Sequence, residues 1–392
     1  MNASPFTGGE RALRRAGGAA VGLLLLTALG AVLDPRRTLW AYHVAFVYWA
    51  GIALAALILL MSLHAMKARW ATILRRVLET IPLSATLFVV LFVPIALGAR
   101  SLFAWARPEQ LHGELAELAQ HRAPWLNLPF FLVRAFVYLA IWAVVAGALY
   151  RWSTRQDHEK GVALTTSQRR LAAGGLPLIA VVMTLAAFDW QMSLDLHLAS
   201  TIFGVYWFAG SFLAAVAVLI LAVTAADHAG ILRGLVRPSH YHSLGKLLLA
   251  FVVFWAYIAI SQYLLIWIAN LPEEVPWYIF RGQGGWRPFG VLLTVFHFVV
   301  PFLVLLSRDL KRNPRALSAI AVYVLVVHYV DLYWVMMPVL TPEGPRPHLS
   351  DLTAVLGVGA AALAFVLWRL RGRAAIPVGD PYLEDSLRYD PS

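Results

Sequence analysis

The stretch Ser200-Thr-Ile-Phe-Gly-Val-Tyr-Trp-Phe-Ala-Gly-Ser-Phe-Leu-Ala-Ala-Val-Ala-Val-Leu-Ile-Leu-Ala-Val-Thr-Ala225 contains no charged residue. As a helix rising ~1.5 Å per residue it would extend about 39 Å, enough to cross the ~30 Å hydrocarbon core of a bilayer. Stretches of the same kind recur along the whole chain, at roughly 16–33, 41–63, 80–99, 129–150, 171–190, 200–225, 246–270, 289–306, 317–338 and 351–370. The composition agrees: 60% of the 392 residues are hydrophobic and 14% charged, against roughly 25% charged in a soluble domain. A water-soluble fold is excluded, and an all-α polytopic membrane protein with ten transmembrane helices is expected.

An even number of crossings puts both termini on one side, together with the linkers after spans 2, 4, 6 and 8. Of the 32 Lys and Arg, 23 fall on that side and eight on the other, with Arg134 inside span 4. This asymmetry predicts cytoplasmic termini, including the tail 371–392. The net charge of +11 is then an orientation signal and an attraction to anionic lipid, and nucleic acid is not needed to explain it. The first apolar stretch, Ala16 to Leu33, is longer than the ~7–15 residues of a secretory signal core, which predicts a retained helix. Between spans 3 and 4, the Leu/Ala and Glu/Gln alternation from Pro108 to His121 predicts one short amphipathic helix on the outer surface.

Val47-Tyr-Trp-Ala-Gly51 in span 2 has a weak echo, Val205-Tyr-Trp-Phe-Ala-Gly210, in span 6. The echo relates spans 2–5 to spans 6–9. It suggests two four-helix bundles, 41–190 and 200–338, with helices 1 and 10 peripheral, all within a single integral membrane domain.

Ionisable groups inside a bilayer are costly, so each needs a polar partner, water or a function. Span 9 places His328 and Asp331 on one helical face, with Tyr333 on an adjacent stripe. Span 8 adds His297. Span 7 contributes Tyr257, Ser261 and Gln262, with Lys246 at its cytoplasmic entry. These residues are candidates for a protonatable track through the second bundle, set against polar contacts that merely fix helix packing. Arg134 lies close enough to the outer interface to be expected to snorkel rather than to form a buried ion pair. Asp189 and Trp190, closing span 5, with Asp195 and His197 beyond it, form a polar group containing no Lys or Arg, suited to a helix-end turn or to a partner or quinol headgroup. Glu273 and Glu274 are expected on a solvated outer rim.

The cysteine count is zero, which excludes disulfides, thiolate-held iron–sulfur clusters, covalently attached c-type haem and thiol catalysis. His297 and His328 are the only candidate axial pair for a b-type haem, and they lack the paired ligand spacing such a site uses. There is no phosphate loop, metal-protease helix or nucleophile elbow. No catalytic residue and no metal ligand is assigned.

The run from Gly245 to Glu274 (Gly-Lys-Leu-Leu-Leu-Ala-Phe-Val-Val-Phe-Trp-Ala-Tyr-Ile-Ala-Ile-Ser-Gln-Tyr and onward) closely resembles span 7 of the F subunit of bacterial alternative complex III. So do Phe188-Asp-Trp-Gln-Met-Ser-Leu194 with Ser200-Thr-Ile-Phe-Gly-Val-Tyr206, and the tail Asp380-Pro-Tyr-Leu-Glu-Asp-Ser-Leu387. These ActF-type proteins belong with the polysulfide reductase (NrfD-like) membrane subunits. The resemblance implies a non-catalytic, multi-pass subunit of a respiratory quinol:cytochrome c, or directly oxidase-linked, oxidoreductase in a bacterial inner membrane. Its role would be a proton path or coupling element, with a quinone contact. Haem and iron–sulfur clusters would sit in partners: an iron–sulfur subunit, a C-type membrane paralogue and multihaem cytochrome subunits. The reading from another class is a stand-alone proton-coupled secondary transporter or channel, for which discontinuous helices in both halves would be the sign.

Overall fold

The structure is a computed structural model that describes residues 9–159, 161–232, 234–272 and 274–390. Every regular element among them is helical, as the apolar runs require where backbone groups find no water. In chain order the helices are α1 (Glu10–Leu33), α2 (Pro35–Ala65), α3 (Thr72–Thr80), α4 (Ala85–Leu91), α5 (Val93–Leu102), α6 (Glu114–Arg122), α7 (Leu128–Gln156), α8 (Val162–Trp190) and α9 (Phe203–His228). They continue as α10 (Pro238–Ala269), α11 (Val275–Arg281), α12 (Arg287–Leu293), α13 (Val300–Leu306), α14 (Arg308–Arg312), α15 (Pro314–Met336), α16 (Leu349–Leu370) and α17 (Leu383–Leu387).

Nine helical segments among the described residues are long and apolar enough to cross a membrane. The bent pair Arg69–Leu91 and Val93–Leu102, which turns by 59°, makes a tenth when it is counted as one span. Pro94 sits in the first turn of α5, where its missing N–H cannot continue the ladder from α4. The expected span 80–99 is thus two pieces. It also begins earlier than hydropathy suggested, because α3 carries Arg75, Arg76 and Glu79 into the interior. Those charges compensate one another: Arg75 pairs with Glu79 at 2.9 Å and with Asp380 at 2.6 Å, and Arg76 pairs with Asp157 at 2.8 Å.

Helix entries follow local chemistry. Asp34 caps α2 by accepting from the Arg37 backbone N–H, and Pro35 occupies the first turn. Asn127 and Asn313 cap α7 and α15 in the same way.

The packing forms two sets of helices that meet on α2 and α9. In the first, α2 packs on α8, α8 on α7, and α7 on α4; in the second, α9 lies between α10 and α15, with α12 and α13 closing the outer side. The two echo segments touch at this seam, since a Cβ added to Gly51 would lie 2.5 Å from Ser211 Oγ and 2.9 Å from Trp207 Nε1. Small residues let the two backbones approach. Helices α1 and α16 pair with each other and lean on α2, and α1 remains mostly uncovered.

Both chain ends lie on one face, where Arg371 reaches Glu10 at 2.6 Å; we call this the terminal face. There the tail folds back over the bundles. Ser386 Oγ donates to Trp70 O at 2.6 Å, and the His240 ring meets Ser386 O at 3.0 Å. Asp385 pairs with Arg69 at 2.9 Å. The tail therefore fastens α3 of the first set to α10 of the second. On the opposite face the amphipathic segment forms α6, preceded by a single 3-10 turn at Pro108–Gln110.

Candidate functional site

The second set of helices encloses a polar cluster around Asp331. Asp331, on α15, is 1% exposed. Its carboxylate accepts from the Tyr206 hydroxyl of α9 in a short hydrogen bond, and from Trp255 Nε1 of α10 at 3.2 Å. His328 Nδ1 lies 3.8 Å and His297 Nδ1 4.0 Å from the same oxygen, Oδ2. Both rings are buried, and neither nitrogen of either has a hydrogen-bonding partner among the described residues.

Four helices position these groups. The three-residue spacing puts His328 and Asp331 on one face of α15. His297 is turned inward within a π-helical turn, Thr294–Val299, between α12 and α13; such turns insert one residue and re-aim a side chain. The His297 ring stacks on Trp255, with centroids 3.8 Å apart. Gly210 on α9 makes room for His328, because a Cβ there would lie 2.5 Å from His328 Cε1.

Tyr206 and Trp255 also form one wall of a cavity of about 490 Å3. It lies between α10, α11 and α12, toward the face opposite the termini. Ile260, Tyr263 and Val291, at its mouth, are exposed, so it opens sideways toward the lipid. Its polar end carries Arg281, which is 3% exposed and forms no ion pair with a carboxylate among the described residues. Instead the guanidinium donates to Val335 O at 2.7 Å and to Trp277 O at 3.2 Å, and lies 3.7 Å over the Trp277 ring. Burial pushes its pKa down to about 9, which leaves it cationic at neutral pH.

Several sequence candidates fall elsewhere. Tyr257 is 65% exposed and points away from the bundle. Lys246 is exposed at the terminal face. Gln262 is buried and Ser261 half-buried, further along α10, and neither is hydrogen-bonded to the cluster among the described residues. Tyr333 belongs to another constellation, hydrogen-bonded by Arg37 at 3.4 Å beside the Arg37–Asp351 pair. Lys246 and Tyr257 therefore do not join a buried chain, because helix rotation turns them outward.

The first set of helices corrects a further expectation. Arg134 does not snorkel: it is 6% exposed, and its Nε and Nη2 donate to the two oxygens of Asp189 at 2.8 Å each. Tyr138 Oη and Trp125 Nε1 donate to the same carboxylate at 3.0 and 2.9 Å, and Arg134 stacks over Trp125 at 4.1 Å. A bidentate pair with every lone pair engaged is better satisfied inside than extended to the interface. Trp190 is fully buried among Phe46, Trp142 and Trp207, and its carbonyl accepts from the His43 ring at 2.6 Å. Asp195 Oδ1 accepts from the His197 backbone N–H at 3.0 Å, and His197 Nδ1 lies 3.9 Å from Glu114. The polar group beyond span 5 is thus divided: Asp189 is locked to an arginine, and Asp195 and His197 shape a surface turn. Glu274 is half-buried, and Glu273 lies outside the described residues.

The sequence reading missed Tyr206, Trp255 and Arg281. The echo segment contained Tyr206 and the family-like run contained Trp255, but nothing in one dimension ties either to Asp331. No protein-family model matches the chain, and no curated protein matches it.

Proposed function

We propose that the chain is an integral, non-catalytic membrane subunit of a quinol-oxidising respiratory complex of the alternative complex III type. In this reading it sits in a bacterial inner membrane with both termini cytoplasmic, beside an iron–sulfur subunit, a C-type membrane paralogue and multihaem cytochrome subunits that hold the redox centres. The second set of helices moves protons, and the lateral cavity receives the headgroup of a quinone or quinol.

One observation carries this reading. Asp331 is a buried carboxylate held by the neutral donors Tyr206 and Trp255, which themselves line the lateral cavity, and it is faced by two histidines whose nitrogens have no hydrogen-bonding partner among the described residues. A group that must take up and release a proton cannot be locked by a permanent counter-ion, and Asp331 is not. Histidine supplies exchangeable nitrogens within reach, and Tyr206 links the carboxylate to the cavity wall. Tyrosine, tryptophan and two arginines, Arg281 and Arg287, lining a mainly apolar recess suit a flat amphiphilic ring with carbonyl oxygens.

The stand-alone transporter reading fits less well. The bent crossing is the second of the first set, whereas the π-helical turn is in the third of the second set, so the interruptions do not occupy corresponding positions.

The test is proton release and quinol oxidation by the purified complex in sealed vesicles, comparing Asp331→Asn with the parent. The variant keeps a similar shape and should assemble, but should lose proton release with turnover strongly reduced. Unchanged stoichiometry and turnover in a fully assembled variant would reduce Asp331 to a packing residue. Purification of the chain free of haem-containing partners after gentle solubilisation would favour the transporter.

A further inference from the structure

At the terminal face, away from the Asp331 cluster, a small pocket of about 60 Å3 lies where the end of α2, the start of α3 and the first turns of α8 converge. Its lining includes His64, Lys67, Arg75 and Arg169, and no Asp or Glu. Two of these side chains are incompletely satisfied. Among the described residues Arg75, 7% exposed, has no hydrogen-bonding partner for its Nη2, although its other nitrogens hold Glu79 and Asp380, and His64, also 7% exposed, has none for its Nε2. Lys67 and Arg169 take part in no ion pair among the described residues.

Two backbone features point the same way. Lys67 follows α2 in a left-handed conformation, φ +53°, where glycine is the unstrained choice and a lysine costs about 1 kcal/mol. The strain is tolerated at a position where it holds a cation at the pocket's rim. Helix α8 begins after Gly161 with no side-chain cap, so its first-turn N–H groups, next to the pocket, remain available, and the positive end of a long helix adds to the field. Tyr382 from the tail lies 4.7 Å from Arg69 and closes one side.

We propose that this pocket binds a phosphate group, supplied by the headgroup of an anionic phospholipid in the leaflet at the terminal face. A tetrahedral oxyanion matches the small volume and the convergence of an arginine, a histidine and two outer cations. The lipid source fits the surroundings, since Met66 and Val162, 69% and 58% exposed, flank the mouth where acyl chains would lie. Free inorganic phosphate shares the headgroup chemistry, and the test separates the two.

The full-length chain in neutral detergent is examined by native mass spectrometry with phosphatidylglycerol, with phosphatidylcholine, and with phosphatidylglycerol plus inorganic phosphate. The parent should retain one phosphatidylglycerol in preference to phosphatidylcholine. Lys67→Gln/Arg169→Gln should bind it about tenfold more weakly, whereas Arg11→Gln/Arg15→Gln, which removes the same charge from an exposed stretch on that face, should not. Lys67→Gly keeps the test readable if the double variant folds poorly: it suits the left-handed backbone, so it should melt no lower than the parent while holding the lipid less well. Displacement of the lipid by inorganic phosphate, with the same dependence on Lys67 and Arg169, would uphold the phosphate site and assign it to the free ion. Equal retention of phosphatidylglycerol by parent and pocket variants overturns the proposal.

Discussion

Two carboxylates lie deep in the two sets of helices, and they are held in opposite ways. Asp189 receives both arms of Arg134 together with Tyr138 and Trp125, so its charge is permanently matched. Asp331 receives Tyr206 and Trp255 and faces His297 and His328, and among the described residues it is paired with no arginine or lysine. The first arrangement fixes helices in place. The second holds its carboxylate by neutral donors, which is the arrangement the proposed proton path requires. Equal burial therefore does not mean equal role, and the partner's ability to change its charge is what distinguishes them.

The largest expected effect comes from breaking the first site. Asp189→Ala leaves the Arg134 guanidinium buried and unmatched, which should destabilise the protein by about 3–5 kcal/mol. Thermal unfolding of the purified protein, followed by loss of folded material, reads this. Replacing both partners by leucine should recover much of the loss, and a single variant as stable as the parent would remove the distinction between the sites.

Next is Gly210→Ala, whose added Cβ would press on His328. Overpacking should cost about 1–3 kcal/mol and displace the imidazole from Asp331. Proton release by the assembled complex should fall along with the melting temperature. The equivalent crowding at Gly147, where a Cβ meets nothing, should leave both unchanged.

Tyr206→Phe removes one neutral donor from Asp331 without altering the helix, at an expected cost of about 1 kcal/mol. Its sharper readout is infrared difference spectroscopy during turnover: the carboxyl band abolished by Asp331→Asn should shift in Tyr206→Phe and stay unmoved in Arg134→Lys. A band that responds to Arg134 instead would place the exchanging group in the first set of helices. The smallest effect is expected at Tyr257→Phe, where an outward-facing hydroxyl should matter by less than about 0.5 kcal/mol, with no change in turnover.

Much of the architecture was legible in the sequence because crossing a bilayer depends on summed apolarity along the chain. The apolar segments follow from it, while the surface helix after span 3 follows from the Leu/Ala and Glu/Gln alternation. The early start of the third segment was hidden by Arg75, Arg76 and Glu79, which read as a linker until Asp157 and Asp380 are seen beside them. The Asp331 site was half legible. His328 and Asp331 share a helical face by spacing alone, and His297 stood out as an ionisable group in a span.

What the sequence could not specify is the rotation of each helix. Lipid tails and the protein interior are similarly apolar, so a membrane helix carries little periodicity to mark its inward face. Trp255 and Tyr257, two residues apart on α10, look equivalent in sequence, yet one meets Asp331 and the other meets lipid. Arg134 and Asp189 are separated by a whole linker, and only the packing of α7 on α8 joins them. The sequence by itself determined which segments are apolar enough to cross a membrane and which residues are costly to bury. The tertiary structure decided which of those residues are matched by an opposite charge and which are held by neutral donors, because a side chain's partner is set by the neighbouring helices' angles and phases.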